Sequence, residues 1–128
     1  MFTTLRWEGG RVAWLEEHLN RLRTHAERLG IDWPEDFNER LASTSPIGNG
    51  DLCQVKLTRE GQIELTLRQT HYPPSPLCAI SHVAPRFPRK AQGTKHAAWS
   101  PYTAARTTAE NAGADTVSYT HLTLPTIA

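Results

Sequence analysis

The chain has 128 residues, the length of one ordinary domain, and at this size a fold can bury roughly two-thirds of its unfolded surface. Its 14 Lys and Arg balance 13 Asp and Glu, a formal charge of +1, so bulk charge gives no reason to expect a nucleic acid or an anionic membrane as partner. With 38% hydrophobic and 21% charged residues the composition is polar without being that of a disordered chain. No run approaches the ~20 apolar residues of a membrane span, and the N-terminus lacks the apolar stretch of a signal peptide. The expectation is a soluble, cytoplasmic chain. Two cysteines, Cys53 and Cys78, are too few for a disulfide framework and are expected as reduced thiols buried in strands.

Residues 2–7 are β-branched and aromatic and read as a strand; Glu8-Gly9-Gly10 signals a turn, and residues 11–14 read as a returning strand. The period then changes. Leu15, Leu19, Leu22, Ala26 and Leu29 recur every three or four residues, one face of an α-helix with Glu16 and Glu17 in its first turn and Gly30 as its stop. Pro34, Glu35 and Asp36 look like a second helix start, with Phe37 and Leu41 on its apolar side. After a loop over 43–50, Cys53, Val55 and Leu57 alternate, as do Ile63, Leu65 and Leu67, with a turn at 59–62 between them: a β-hairpin. Pro73, Pro74 and Pro76 end that pairing. A further strand is expected within 77–83, a linker over 85–93, and a helix from Pro101 through Ala112 stopped by Gly113.

The charges are not evenly spread. No carboxylate stands between Glu64 and Glu110, whereas Arg68, Arg86, Arg89, Lys90, Lys95 and Arg106 all fall there. Such a segment favours an anionic ligand, although a folded surface that mixes both signs gives the same pattern.

Two stretches resemble one family. The run TTLRWEGGRVAWLEEHLNRLRTHAERLGI, residues 3–31, is similar to the N-terminal domain of fold-type IV pyridoxal-phosphate enzymes, the class IV aminotransferases, whose helix opens near a His-x-x-Arg-Leu motif. Here the motif is His18-Leu19-Asn20-Arg21-Leu22. Residues 93–115, GTKHAAWSPYTAARTTAENAGAD, resemble the segment that carries the family's Schiff-base lysine, which falls on Lys95. The resemblance implies pyridoxal 5'-phosphate as cofactor, Lys95 as the catalytic and cofactor-linking residue, and Arg21 as the phosphate-binding one. A forked, permanently charged donor suits that last role. Without the resemblance, Lys95 would be an ordinary solvated lysine and Arg21 an exposed partner of Glu17, one turn away. His18 is expected to be a positioned structural histidine.

Phe2-Thr3-Thr4 entering the first strand and the Lys95-His96 pair lean towards the 4-amino-4-deoxychorismate lyase branch, with a branched-chain or D-amino-acid transaminase as the alternative. The implied substrate is a small anionic amino compound, with neither nucleic acid nor membrane as partner, and the family's habit is the homodimer. No metal site is expected.

The implied fold class is α+β: an antiparallel sheet with one long and one short helix over residues 1–84, a linker over 85–93, and the start of a cofactor-binding domain over 94–117. The last residues, SYTHLTLPTIA (118–128), depart from the family and resemble translated adapter DNA, so they are expected to be a non-native tail. On that reading the chain is an inactive N-terminal fragment. A reading of another class is a non-enzymatic anion- or RNA-binding module using residues 65–109, but Tyr72, Phe87, Trp99 and Tyr102 show no regular stacking pattern.

Overall fold

A computed structural model describes residues 1–72 and 75–120. They fall into two units: Met1–His71 with Pro88–Ala97, and Tyr72–Phe87 with residues 98–120. The fold is α+β.

In the first unit, strand β1 (Phe2–Glu8) turns through Gly9 and Gly10 into the two-residue β2 (Arg11–Val12), and helix α1 (Leu15–Leu29) follows. Gly30 closes α1 in the left-handed conformation (φ 66°), its N–H returning to the carbonyls of Ala26 and Glu27. Helix α2 (Phe37–Ser43), the short β3 (Ile47–Gly48), and the hairpin of β4 (Leu52–Leu57) and β5 (Ile63–Arg68) complete the set. The sheet order is β2-β1-β4-β5-β3, antiparallel except where β3 runs parallel to β5.

Register decides which side chains meet. Leu5 opposes Cys53, Thr3 opposes Val55, and Val55 opposes Leu65, so alternation puts Thr3, Leu5, Cys53, Val55, Leu57 and Leu65 on one face. Leu22 and Ala26 of α1 and Phe37 of α2 join Leu5, Cys53, Val55, Leu57 and Leu65 in the buried core, and Phe37 stacks on Trp33 with ring centroids 4.1 Å apart. The opposite face carries Phe2, Thr4, Arg6, Lys56, Glu64 and Arg68, with Lys56 and Glu64 paired across the strands at 3.1 Å. At Gly50 (φ 148°) a Cβ would lie 2.0 Å from the Arg68 carbonyl carbon, so only glycine fits this crossing of the chain over the end of β5.

In the second unit, β6 (Ala79–Val83) and β7 (Thr116–Thr120) pair in parallel, joined through helix α3 (Ser100–Asn111). Ala105 and Ala109 of α3 are buried, as is Ala114, and Tyr102 meets Tyr119 edge to face at 5.4 Å.

Three local expectations need correction. The returning strand over 11–14 stops at Val12, because Trp14 adopts a left-handed backbone (φ 57°) as the residue capping α1 and is 73% exposed. The second helix begins at Phe37, not Pro34: residues 34–36 make a turn in which Phe37 N–H donates to the Pro34 carbonyl at 3.1 Å. Cys53 is buried in β4 as expected, but Cys78 is exposed and precedes β6, its N–H held by Asp115 Oδ2 at 2.9 Å. Residues 85–93, read as a linker, divide between the two units. Residues 118–120 belong to β7; Pro73, Pro74 and residues 121–128 lie outside the described residues.

Candidate functional site

A group of cations lies near the N-terminal half of β1, Arg21 and Lys95 among them. Only the far end of β1 is covered by β2, at Trp7 and Glu8, so the edge at Phe2 is open to another backbone. Lys95 takes that place: its carbonyl accepts the Phe2 N–H at 3.0 Å, and its own N–H donates to His25 Nδ1 on α1 at 3.2 Å. The lysine's backbone is therefore tied on both sides of its Cα, to the sheet and to the helix.

Beside it, Thr3, His18 and Arg21 form a closed triangle. Thr3 is 1% exposed, a hydroxyl set at the edge of an apolar core. Arg21 Nη2 donates to Thr3 Oγ1 and to His18 Nδ1, both at 3.1 Å, and Thr3 Oγ1 stands 2.8 Å from the same ring nitrogen. A guanidinium can only donate, so His18 Nδ1 must be an acceptor and the ring proton sits on Nε2. The Thr3 hydroxyl then donates to His18 and accepts from Arg21, and the two donors share the single Nδ1 lone pair. Arg21 spends only Nη2 here and makes no ion pair with Glu17, so its other nitrogens keep their donor capacity.

The electrostatics follow from this crowding of like charge. Lys95 Nζ lies 5.6 Å from the centroid of the Phe2 ring. Desolvation first, then the Arg21 and Arg68 guanidinia, lower its pKa from the ordinary lysine value. The ring face acts the other way, favouring the ammonium by about 0.5–1 kcal/mol at an accessible site. His18 is lowered too, by desolvation and then by Arg21 and Lys95 against a weaker opposing pull from Glu17; His25 is lowered by desolvation and then by Arg21, Arg28 and Lys95. The result is an amine that gives up its proton more readily than usual, flanked by a fixed positive charge and two imidazoles held neutral. Such a site suits an anion joined to a carbonyl that an amine can attack.

A larger concavity, of about 950 Å³, opens elsewhere in the first unit between the sheet, α1 and α2, lined by Trp7, Leu19, Trp33, Leu41, Cys53 and Val55 among others. It contains none of the cation cluster, and its thiol, Cys53, is pushed up in pKa by burial. Among the described residues no group of three or more His, Cys, Asp or Glu could hold a metal ion, and no helix is long and apolar enough to cross a membrane.

The family model for "Amino-transferase class IV" matches residues 1–122. The chain belongs to the class IV aminotransferase family. Among solved structures, one described as "Crystal Structure of Putative 4-amino-4-deoxychorismate lyase" is 31% identical with a TM-score of 0.64, covering 88% of this chain. This class IV chain spans about half the length of that structure. No curated protein matches it.

Both residues singled out from the sequence, Arg21 and Lys95, thus lie in one cluster with His18. Thr3, His25 and Arg68 were missed as members of it. His25 had a signal: His18, Arg21, His25 and Arg28 recur at spacings of three, four and three, a polar stripe on α1 beside the apolar one.

Proposed function

We propose that this class IV chain binds pyridoxal 5'-phosphate, with Lys95 as the residue that joins the cofactor and Arg21 as the residue that holds its phosphate. The observation that carries the reading is the doubly tied Lys95 backbone, which presents an amine of lowered pKa in the field of Arg21, whose Nη2 bonds Thr3 and His18. The donor set fits the group: a fork with unused donors for a phosphate dianion, a neutral His18 whose Nε2–H can add a hydrogen bond, and a lysine amine for the aldehyde carbon. When bound, the cofactor supplies that aldehyde and an electron-accepting ring. Arg21 would hold and orient the phosphate end, with Thr3 and His18 fixing its rotamer, and the unprotonated Lys95 Nζ would stand at the aldehyde end, where it could take up or return a proton at the reacting substrate carbon.

For the reaction we infer the lyase branch: release of pyruvate from 4-amino-4-deoxychorismate to leave 4-aminobenzoate, a folate precursor. The Thr3-Thr4 strand entry, the Lys95-His96 pair and the 31% identity over 88% of the chain support it. Pyruvate formed without any 2-oxo acid would identify a lyase; dependence on a 2-oxo acid would identify a transaminase instead.

The cofactor assignment is tested by treating the protein with pyridoxal phosphate and borohydride and mapping the label. The chain has three lysines, Lys56, Lys90 and Lys95. Label concentrated on Lys95 near neutral pH is expected, because Lys56 is engaged by Glu64 at 3.1 Å. Label spread evenly, or favouring Lys56 or Lys90, would remove the assignment.

A further inference from the structure

The polar stripe of α1 does two jobs along its length. Its first half, His18 and Arg21, faces Thr3. Its second half, His25 and Arg28, faces the backbone that leads to Lys95. Residues 88–94 wind through successive turns: Ala91 N–H donates to the Pro88 carbonyl at 2.8 Å, and Thr94 donates to the Ala91 carbonyl from its N–H at 3.2 Å and its hydroxyl at 2.7 Å. The carbonyl of Gln92 is left pointing to α1, where Arg28 Nη2 donates to it at 2.7 Å and reaches the Arg89 carbonyl at 3.5 Å. One turn up the helix, His25 Nδ1 takes the Lys95 N–H itself.

We propose that His25 is a positioning residue for Lys95: its neutral imidazole, accepting the Lys95 N–H while Arg28 holds the preceding turn, fixes where the lysine amine stands relative to Arg21. The functional half of this statement rests on the assignment of Lys95 as the cofactor-joining residue. The geometric half does not. Only an unprotonated Nδ1 can accept this bond, so the clamp exists only while His25 is neutral. The charged groups around the ring are Arg21 and Arg28 on its own helix and Lys95 on the segment packed against it. Desolvation of the ring first, and then these three cations, oppose protonation, which carries the clamp towards more acidic solution. Below that range the protonated ring turns a donor towards a donor, and the bond to the Lys95 N–H is lost while those made by Phe2 and Arg28 remain.

Two variants separate acceptor from shape. His25→Asn keeps an acceptor near the Nδ1 position and cannot be protonated; His25→Leu removes the acceptor and keeps a good helix former. Amide exchange of the Lys95 N–H, measured in the 128-residue protein, reads the clamp directly. Exchange about tenfold faster in His25→Leu, and within about threefold of wild type in His25→Asn, is expected for the loss and retention of one hydrogen bond. The ratio of borohydride-fixed label on Lys95 to that on Lys56 and Lys90 reads the consequence. In wild type this ratio should fall on acidification; in His25→Leu it should be low throughout; in His25→Asn the acid decline should disappear. Unchanged Lys95 amide exchange in His25→Leu, or an Asn variant that behaves like the Leu variant, would overturn the proposal. Slow wild-type exchange that depends on His25, combined with label on the wrong lysine, would keep the clamp and reject the cofactor assignment, so the two failures are distinct.

Discussion

Thr3→Val removes one oxygen from the candidate site and almost nothing else. Valine has the shape of threonine and suits a strand, and at 1% exposure the added methyl lies where the core edge begins. Two hydrogen bonds disappear, from Arg21 Nη2 at 3.1 Å and to His18 Nδ1 at 2.8 Å. A neutral bond contributes about 0.5–1.5 kcal/mol and one to a charged group about 1.5–3. Arg21 is exposed and His18 half-buried, so water recovers much of both, and the expected loss of stability is about 1–2 kcal/mol. Urea unfolding should show the midpoint moving at constant m-value. Arg21 loses its brace as well, so its affinity for pyridoxal phosphate should drop several-fold while the sheet remains intact. Thr3→Ser, which keeps the oxygen, is the control and should retain the affinity. If Thr3→Val bound the cofactor as tightly as wild type and unfolded at the same urea concentration, the triangle would have no energetic role.

Phe37→Ala should destabilise the first unit by about 3–5 kcal/mol, since Phe37 is 1% exposed and stacked on Trp33; a thermal melt checks it, and a change below about 1 kcal/mol would contradict the packing described. Stability should decline as pH falls from about 6.5. His18 and His25 have folded pKa values below the unfolded one, so the unfolded chain gains protons first and the loss ends once the folded rings titrate. Asp51, held low by its hydrogen bonds from Thr70, acts only at lower pH, so a flat urea midpoint between pH 6.5 and 5 would count against the neutral imidazoles.

Helix α1 was legible because its leucine spacing is dictated by burial: Leu22 and Ala26 are in the core, and the pattern that reveals them is local. The β4–β5 hairpin was legible for the same reason, with alternation read directly as two faces. Trp14 was not, because a left-handed backbone at a bulky residue is imposed by the junction of β2 and α1 and leaves no mark in composition. Cys78 misled because cysteine tends to be buried; its place one residue before a short strand overrode that tendency. In the site, Arg21 and Lys95 could be picked out by resemblance, but what holds them could not. Thr3 meets Arg21 across 18 residues and His25 meets Lys95 across 70, and neither partner is specified by the sequence around the other.

The bonds from the Lys95 backbone to the Phe2 backbone and the His25 ring also set a timetable. The His18–Arg21 contact spans three residues, whereas Arg28 with Gln92 spans 64 and His25 with Lys95 spans 70. Closing loops of that length is opposed by chain entropy that grows only slowly with length, about 0.6 kcal/mol per doubling, but it must be met before any of these contacts can repay it. The Thr3–His18–Arg21 end of the cluster can thus assemble early, from a helix and a strand close together in sequence, while Lys95 lies about three-quarters of the way along the chain. Pulse-labelled refolding should find the α1 amides protected before that of Lys95; simultaneous protection would mean that the lysine segment docks during the first collapse.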